Sequence, residues 1–229
     1  MKLGLIADIH ADAPTLRRAL SLLDALGAAQ VLCAGDLVDY GCCPDETINL
    51  LRARDIPCVC GNHDREAFTR KPSRRKPYHT DPARLAPESR AYLRALPFDY
   101  KARFNGRCVA LYHAAPTTDL ELVHPEVMPG GALDALFDEA GADVLVLGHT
   151  HIPLHVETPR GVVINPGSLL ARHETRLPSS RTFGLLDIEA LDYQLFDVES
   201  GLPYAATSWG WKPTKWPLRR PLRGAPRRG

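Results

Sequence analysis

The chain has 229 residues, of which 45% are hydrophobic and 24% are charged, and its formal net charge is +1. This composition is that of an ordinary globular protein, which excludes a wholly disordered chain, and no apolar run approaches the ~18–20 residues of a membrane-spanning helix. Asp8 and His10 interrupt the first apolar stretch before it reaches the length of a signal-peptide core, and the few cysteines are too sparse for a disulfide framework. We therefore expect a cytoplasmic protein with no membrane partner.

The charges are distributed unevenly along the chain. Residues 209–229 contain seven basic residues and no acidic one. Since the whole chain has a net charge of +1, residues 1–208 have a net charge of −6. We predict one domain over residues 1–208, followed by a basic tail with little fixed structure. The three tryptophans of the tail could stack on single-stranded nucleic acid while its cations neutralise phosphates. The favoured interpretation is a solubilising tail, or one that folds against the acidic body.

The first third of the sequence alternates between apolar runs and helical patterns. In chain order, we predict a strand at 2–7, a helix at 11–26, a strand at 30–34, a helix at 44–52 and a strand at 58–60. This order is typical of α/β units with parallel strands.

A polar and basic segment follows at residues 65–97. Its prolines limit regular structure to one helix, which we predict at 87–96. We interpret the segment as an insertion over one edge of the domain. It is either a solvated surface loop or a cover for a phosphate site.

The remaining sequence is richer in strands. We predict strands at 106–112, 144–147, 155–158, 161–164, 181–188 and 191–198, with one helix at 130–140. The chain therefore begins as α/β and ends as mostly antiparallel β.

Five of the apolar runs are followed by side chains that bind metals or protons. These sequences are Asp8-Ile9-His10, Gly35-Asp36-Leu37-Val38-Asp39, Gly61-Asn62-His63-Asp64, Tyr112-His113 and Gly148-His149-Thr150-His151. The carboxyl ends of parallel strands lie along one edge of a sheet, so we expect these loops to converge. We also expect Gly35, Gly61 and Gly148 to permit sharp backbone turns next to the functional side chains.

The converging side chains are suited to metal ions. The candidate ligands are Asp8, His10, Asp36, Asn62, His113, His149 and His151. Seven ligands are too many for one four-coordinate zinc and suit two first-row divalent ions. Each motif alone is weak evidence, because an aspartate often caps a helix and the Gly61–Asp64 sequence could be a simple turn. Together, however, they would otherwise leave polar groups without partners beside apolar runs.

The five motifs, in this order, resemble those of the calcineurin-like metallophosphoesterases, over about residues 1–198. The smaller bacterial and archaeal phosphodiesterases of that superfamily are the most similar in length and in the run at 163–168. The resemblance implies an α/β fold of four layers, in which a β-sandwich of two mixed sheets is flanked by helices. It implies one metal on Asp8, His10, Asp36 and His151, and a second on Asp36, Asn62, His113 and His149.

The resemblance also implies roles for residues that do not bind metal. His63 would face the substrate and protonate the leaving oxygen, Asp39 would orient His63, and Asp64 would be a structural cap. One departure from the family pattern is Tyr40, which stands where an arginine is familiar. The missing cation could come from Arg65, Arg172 or Arg181, and His173 could line the pocket; a second departure is Ala114, where glycine is common.

We therefore predict a hydrolase of phosphate esters that uses two divalent ions and a bridging hydroxide for in-line attack on phosphorus. Manganese is the favoured metal, and iron, zinc, nickel or cobalt remain possible. A phosphodiesterase is favoured. The alternatives are a phosphomonoesterase of the protein-phosphatase type, a phosphodiesterase directed to nucleic acid by the tail and, least favoured, a non-catalytic interaction scaffold.

Overall fold

We describe residues 1–71, 76–124, 128, 132–170 and 181–204 of a computed structural model. The first sheet contains β1 (Lys2–Ile6), β2 (Gln30–Cys33), β8 (Thr182–Asp187) and β9 (Asp192–Asp197) in the order β2-β1-β8-β9. β1 and β2 are parallel, whereas β8 is antiparallel to both of its neighbours. The sheet is therefore mixed.

The second sheet is also mixed. It contains β3 (Asp99–Phe104), β4 (Arg107–Tyr112), β5 (Val144–Val146), β6 (Leu154–Thr158) and β7 (Gly161–Asn165) in the order β3-β4-β5-β7-β6. The three central strands are parallel, and the two edge strands are antiparallel to them.

The two sheets pack face to face, because alternate residues of their strands are apolar. Leu3 and Leu5 of β1 share one buried cluster with Val109 and Leu111 of β4. Ile6 faces the other way, into a cluster with the helices α1 (Ala13–Ala25) and α2 (Pro44–Ala53). On the opposite side, α5 (Ala132–Ala140) covers the outer face of the second sheet. This confirms the predicted sandwich of two mixed sheets flanked by helices.

Two further short helices lie between β2 and β3 in the sequence. They are α3 (Asn62–Thr69) and α4 (Pro87–Arg94), with one 3₁₀ turn at Pro82–Arg84. The start of α3 was not predicted, because its first residues were interpreted as a loop. It places Asn62 and His63 on the first turn of a helix that ends near Arg70. The helix predicted at 87–96 is confirmed as α4.

One strand prediction was wrong, and one strand was not predicted. Residues 58–60 form a single bridge between Cys33 and Cys58 rather than a strand, since the chain turns into α3 directly afterwards. Strand β3 was missed because an edge strand exposes one side, and its polar residues conceal the apolar alternation. Cys42 and Cys43, neighbours in the loop before α2, are joined by a disulfide.

Among the residues that the structure describes, none of the helices is both long and apolar enough to cross a bilayer. The predictions for the tail at 209–229, and those for Arg172 and His173, concern positions outside the described residues.

Candidate metal centre

The predicted ligands come together at one edge of the sandwich. Asp8 and His10 follow β1, Asp36 follows β2 and His113 follows β4. His149 and His151 follow β5, and Asn62 opens α3. The first four of these side chains are at most 2% exposed, and Asn62 is 8% exposed. Buried carboxylates and imidazoles in such number require partners that offset the loss of hydration.

Several of the ligands lie on a strained backbone. The positive φ angles are 51° at Asp8, 52° at His10, 56° at Asp36, 67° at His149 and 59° at His151. Residues other than glycine rarely adopt this conformation, and when they do they cluster at functional sites. These residues lie where the chain leaves β1, β2 and β5. Five of the seven predicted ligands therefore carry an independent backbone signature of a functional site.

One group of donors can hold a cation. Asp8, His10, Asp36 and His151 each offer an atom, and these atoms all lie within 4.8 Å of one another. His151 Nε2 lies 3.4 Å from Asp8 Oδ1. His10 Nε2 lies 3.7 Å from Asp36 Oδ2 and 3.1 Å from His151 Nε2. This arrangement supports a metal-binding site at the four residues.

A second group adjoins the first through Asp36. Asn62 Oδ1 lies 3.0 Å from His113 Nε2 and 2.9 Å from His149 Nδ1. The same His113 nitrogen lies 3.3 Å from Asp36 Oδ2. One oxygen of Asp36 is therefore close to an imidazole of each group.

The chemistry of these donors fits a cation. Nδ1 of His10 donates to the carbonyl oxygen of Val38 at 3.1 Å, and Nδ1 of His113 donates to Ala34 at 2.8 Å. In the neutral imidazole this assignment leaves an Nε2 lone pair facing the cluster, as is usual for metal-binding histidines. Asp8 Oδ2 is buried and has no hydrogen-bond partner among the described residues. Divalent ions held by the two groups of donors would satisfy these atoms.

The pKa values reflect the same crowding of charge. Burial, reinforced by the charge of Asp36, raises the pKa of Asp8 to about 8. Burial also opposes ionisation of Asp36, but His113 and His10 outweigh it and hold the pKa of Asp36 well below its ordinary range. Against burial, Asp36 raises the pKa of His113 to about 10, whereas burial and His113 lower that of His149 to about 4. In the metal-free protein, protonated His113 thus supplies the positive charge beside Asp36 that a metal ion would otherwise supply.

His63 and Asp39 form a separate pair beside the cluster. His63 Nδ1 donates to Asp39 Oδ2 at 2.6 Å, and the Thr80 backbone N–H donates to the other carboxylate oxygen at 2.7 Å. Asp39 is fully buried, whereas His63 is partly exposed. Burial opposes protonation of His63, but the hydrogen bond to Asp39 raises its pKa. The rings of His63 and His10 are 5.0 Å apart, so the pair lies beside the first donor group.

Asp64 shapes the loop that carries Asp36. Its Oδ1 accepts from the backbone of Leu37 at 2.8 Å and of Val38 at 3.3 Å. Its Oδ2 accepts from Asp36 and Gly61, each at 3.0 Å. These bonds fit the structural role that was predicted for Asp64.

The glycines act partly as predicted. Gly35 has a φ of +91°, which favours glycine, as expected for a sharp turn. Gly61 instead has an extended backbone with φ of −87°. A Cβ at Gly61 would lie 2.1 Å from Asp36 Oδ1, so glycine is needed there for space rather than for a left-handed turn. The expectation for Gly61 was therefore wrong in its cause.

The run at 163–168 supplies supports that the sequence analysis did not assign. Asn165 Nδ2 donates to the carbonyl oxygen of Gly148 at 2.6 Å and to Thr150 Oγ1 at 3.1 Å. Ser168 Oγ donates to the carbonyl oxygen of Asp8 at 2.9 Å. These bonds tie together the loops that carry Asp8, His149 and His151. The one signal in the sequence was the similarity of this run to that of small phosphodiesterases.

The candidate substrate-binding arginines are engaged elsewhere. Arg65 forms two hydrogen bonds with Asp119, at 2.6 and 3.1 Å. Arg181 contacts Asp12 at 3.6 Å and Glu199 at 2.7 Å. Neither of these contacts brings the guanidinium onto a predicted metal ligand.

Comparisons with known proteins identify the family of the chain. The profile of the calcineurin-like phosphoesterase superfamily domain matches residues 1–191. A protein of Methanothermobacter thermautotrophicus named probable metallophosphoesterase is 28% identical over 172 residues, which cover 73% of this chain and 77% of that protein.

Solved structures share the fold. A metallophosphoesterase from Sphaerobacter thermophilus superposes with a TM-score of 0.66 at 23% identity, over 85% of this chain and 86% of the other. A novel archaeal phosphodiesterase gives a TM-score of 0.55 at 19% identity, over 86% of this chain and 99% of the other. The profile match, which spans most of the chain and all seven candidate ligands, shows that the protein belongs to the calcineurin-like phosphoesterase superfamily.

Proposed function

We propose that the protein is a metal-dependent phosphodiesterase that uses two divalent ions. Asp36 would be the ligand shared by both ions. The observation that carries this proposal is the position of Asp36 Oδ2, which lies 3.7 Å from His10 Nε2 and 3.3 Å from His113 Nε2. A carboxylate oxygen between two groups of donors is suited to join two cations. The first ion would be held by Asp8, His10, Asp36 and His151, and the second by Asp36, Asn62, His113 and His149.

Manganese is the favoured metal, because carboxylate, amide and imidazole donors suit a first-row ion of this kind. Bound divalent ions would supply positive charge for the phosphate oxygens and would lower the pKa of water, the nucleophile for in-line attack on phosphorus. The chain's own contribution is to hold the donors close together on a strained backbone.

His63 would act as the acid. Asp39 holds Nδ1, so Nε2 is the nitrogen that can give a proton to the leaving oxygen. The backbone N–H of His63 also donates to Asp36 Oδ1 at 2.9 Å. This bond links the position of the acid to that of the central carboxylate.

A diester is the favoured substrate. Tyr40 stands where family members commonly have a phosphate-binding arginine, and a dianionic monoester would require more positive charge than a diester. One solved structure with this fold is described as an archaeal phosphodiesterase. Against a non-catalytic scaffold, all seven ligand positions are occupied by metal-binding residue types.

The test compares the manganese-reconstituted protein on a bis-aryl phosphate and on the corresponding mono-aryl phosphate. We expect hydrolysis of both, with the higher kcat/KM on the diester and with activity lost after chelation. A large preference for the monoester would favour a phosphomonoesterase instead. A protein that binds metal but hydrolyses neither ester would point to the interaction scaffold.

The basic residues 209–229 provide a separate test of a nucleic-acid substrate. Deletion of these residues should leave activity on the small aryl diester unchanged. If the tail directs the enzyme to nucleic acid, the deletion would abolish salt-sensitive oligonucleotide binding. Equal binding by both proteins would argue against that role.

A further inference from the structure

In the family motif an arginine commonly follows the second aspartate, which is Asp39 in this chain. The next residue here is Tyr40, so that cation is missing. The tyrosine ring lies 4.9 Å from the ring of His10 and 5.1 Å from that of His63, so position 40 is filled by an aromatic group beside the acid. A hydrolase of phosphate esters nevertheless benefits from a fixed hydrogen-bond donor for the phosphoryl oxygens at this point. Another element of the fold therefore needs to provide one.

Arg70, just after α3, contacts Asp39, the residue that precedes Tyr40. Its Nη1 donates to Asp39 Oδ2 at 2.6 Å, the same oxygen that accepts from His63 Nδ1. The guanidinium of Arg70 and the imidazole of His63 thus donate to the same oxygen of Asp39. The Arg70 side chain is only 18% exposed, so its guanidinium is held in place rather than extended into solvent.

One arm of this guanidinium is unused. Arg70 Nη2 is buried and has no hydrogen-bond partner among the described residues. Buried polar groups are nearly always paired, so an unpaired charged donor beside the acid calls for an explanation. The planar fork of arginine can hold a carboxylate with one arm and a phosphate oxygen with the other.

The other candidate arginines of the described chain are less suitable. Arg65 is 46% exposed and directs two of its nitrogens to Asp119. Arg181 contacts Asp12 and Glu199. Neither shares an atom with the pair of His63 and Asp39, as Arg70 does.

We propose that Arg70 is a substrate-binding residue, which keeps one arm on Asp39 and, once an arriving phosphate displaces the groups that now cover Nη2, offers that nitrogen to a non-bridging phosphate oxygen beside His63. The inference rests on the proposed function, since it assumes that the phosphate group lies at this centre. With His63 protonated, the single charge of Asp39 offsets only one of its two cationic partners, so the group of three side chains carries a net charge of about +1. This suits the single negative charge of a diester.

The test measures binding of inorganic phosphate to the manganese-loaded protein by titration calorimetry, which needs no turnover. Arg70→Gln should weaken phosphate binding at least about tenfold, the typical worth of a charge-assisted hydrogen bond, and Arg70→Lys should weaken it less. The matched control is Arg54→Gln, which breaks a surface pair with Asp24 at 2.9 Å and should leave phosphate binding unchanged. Metal content and the thermal midpoint are measured for each variant, and Arg70→Lys, which keeps the charge, serves if Arg70→Gln does not fold.

Asp39→Asn separates binding from positioning. If Arg70 binds phosphate itself, this variant keeps the arginine and should weaken phosphate binding less than Arg70→Gln does. Equal weakening in Asp39→Asn and Arg70→Gln would show that Arg70 acts only through Asp39 and would overturn the inference. Wild-type affinity in both Arg70 variants, or weakening in Arg65→Gln alone, would overturn it as well. Failure of the metal-loaded wild type to bind phosphate would instead overturn the proposed function, and the inference with it.

Discussion

His63 Nδ1 lies 2.6 Å from Oδ2 of the fully buried Asp39. Asp39 lies in the loop after β2 and His63 in the first turn of α3, 24 positions apart in the sequence. The bond fixes which imidazole nitrogen carries the structural proton and leaves the other for chemistry. The bond therefore bears on two properties that can be measured: the role of His63 as an acid and the pH dependence of the stability that Asp39 contributes.

Replacing the acid should lower turnover without removing the metals. We expect His63→Asn to lower kcat by about 10²- to 10⁴-fold for diesters with poor leaving groups, and by much less for those with good leaving groups, which need no protonation. The measurement is kcat across a series of aryl diesters of increasing leaving-group pKa, together with the metal content. A loss that is uniform across the series would contradict an acid role for His63.

Replacing Asp36, the proposed bridging carboxylate, should affect both of the proposed metal ions. Asp36→Asn retains the size of the side chain but loses the charge that lies between His10 and His113. We expect the affinity for metal to fall by more than the 10- to 100-fold typical of an outer-shell change, with loss of activity. Metal content after dialysis is the readout, and Asp24→Asn, on the surface, is the control. Retention of two ions by Asp36→Asn would exclude its bridging role.

Replacing Asp64 should act mainly on the stability of the fold. Its carboxylate accepts four backbone N–H groups, from Asp36, Leu37, Val38 and Gly61. Asp64→Ala leaves these buried donors unsatisfied, so we expect the free energy of unfolding to fall by about 3 kcal/mol or more. Asp64→Asn should cost less, because an amide oxygen can still accept the bonds made to Oδ1. Urea unfolding of the metal-free proteins measures both changes, and a shift below about 0.5 kcal/mol for Asp64→Ala would refute the role.

The stability that Asp39 contributes should depend on pH. Burial opposes its ionisation, but hydrogen bonds from His63 and Arg70 outweigh burial and hold the pKa of Asp39 below its ordinary value of 3.8. The folded protein therefore favours the charged form. The resulting stabilisation is fully present above pH 3.8 and is lost as the pH falls through the folded pKa. We expect the difference in unfolding free energy between wild type and Asp39→Asn, both metal-free, to shrink as the pH falls from about 6 to about 3. A difference that grows over this range would show that the pKa is shifted in the opposite direction.

The sequence predicted the fold class, which the structure confirms, and it supplied the candidate residues of the site, because both kinds of signal are local. A D-x-H or H-x-H spacing at the end of an apolar run indicates both the residue types and the edge of the sheet to which they belong. The same local signals misled for residues 58–60 and for Asp99–Phe104, where pairing depends on neighbouring strands rather than on the segment itself.

What the sequence by itself determined was the set of ligand types and the order of α/β elements, since periodicity and motif spacing are properties of the chain. Only the tertiary structure decided how those groups meet: that one oxygen of Asp36 lies between two groups of donors, and that Asn165 and Ser168 hold the ligand loops. Arg70 shows the difference most clearly. Its bond to Asp39 spans 31 positions, and the direction of α3, which the sequence did not reveal, brings its guanidinium to the acid. A hydrogen bond needs a particular distance and angle in space, and spacing along the chain does not fix either once the residues lie on different elements.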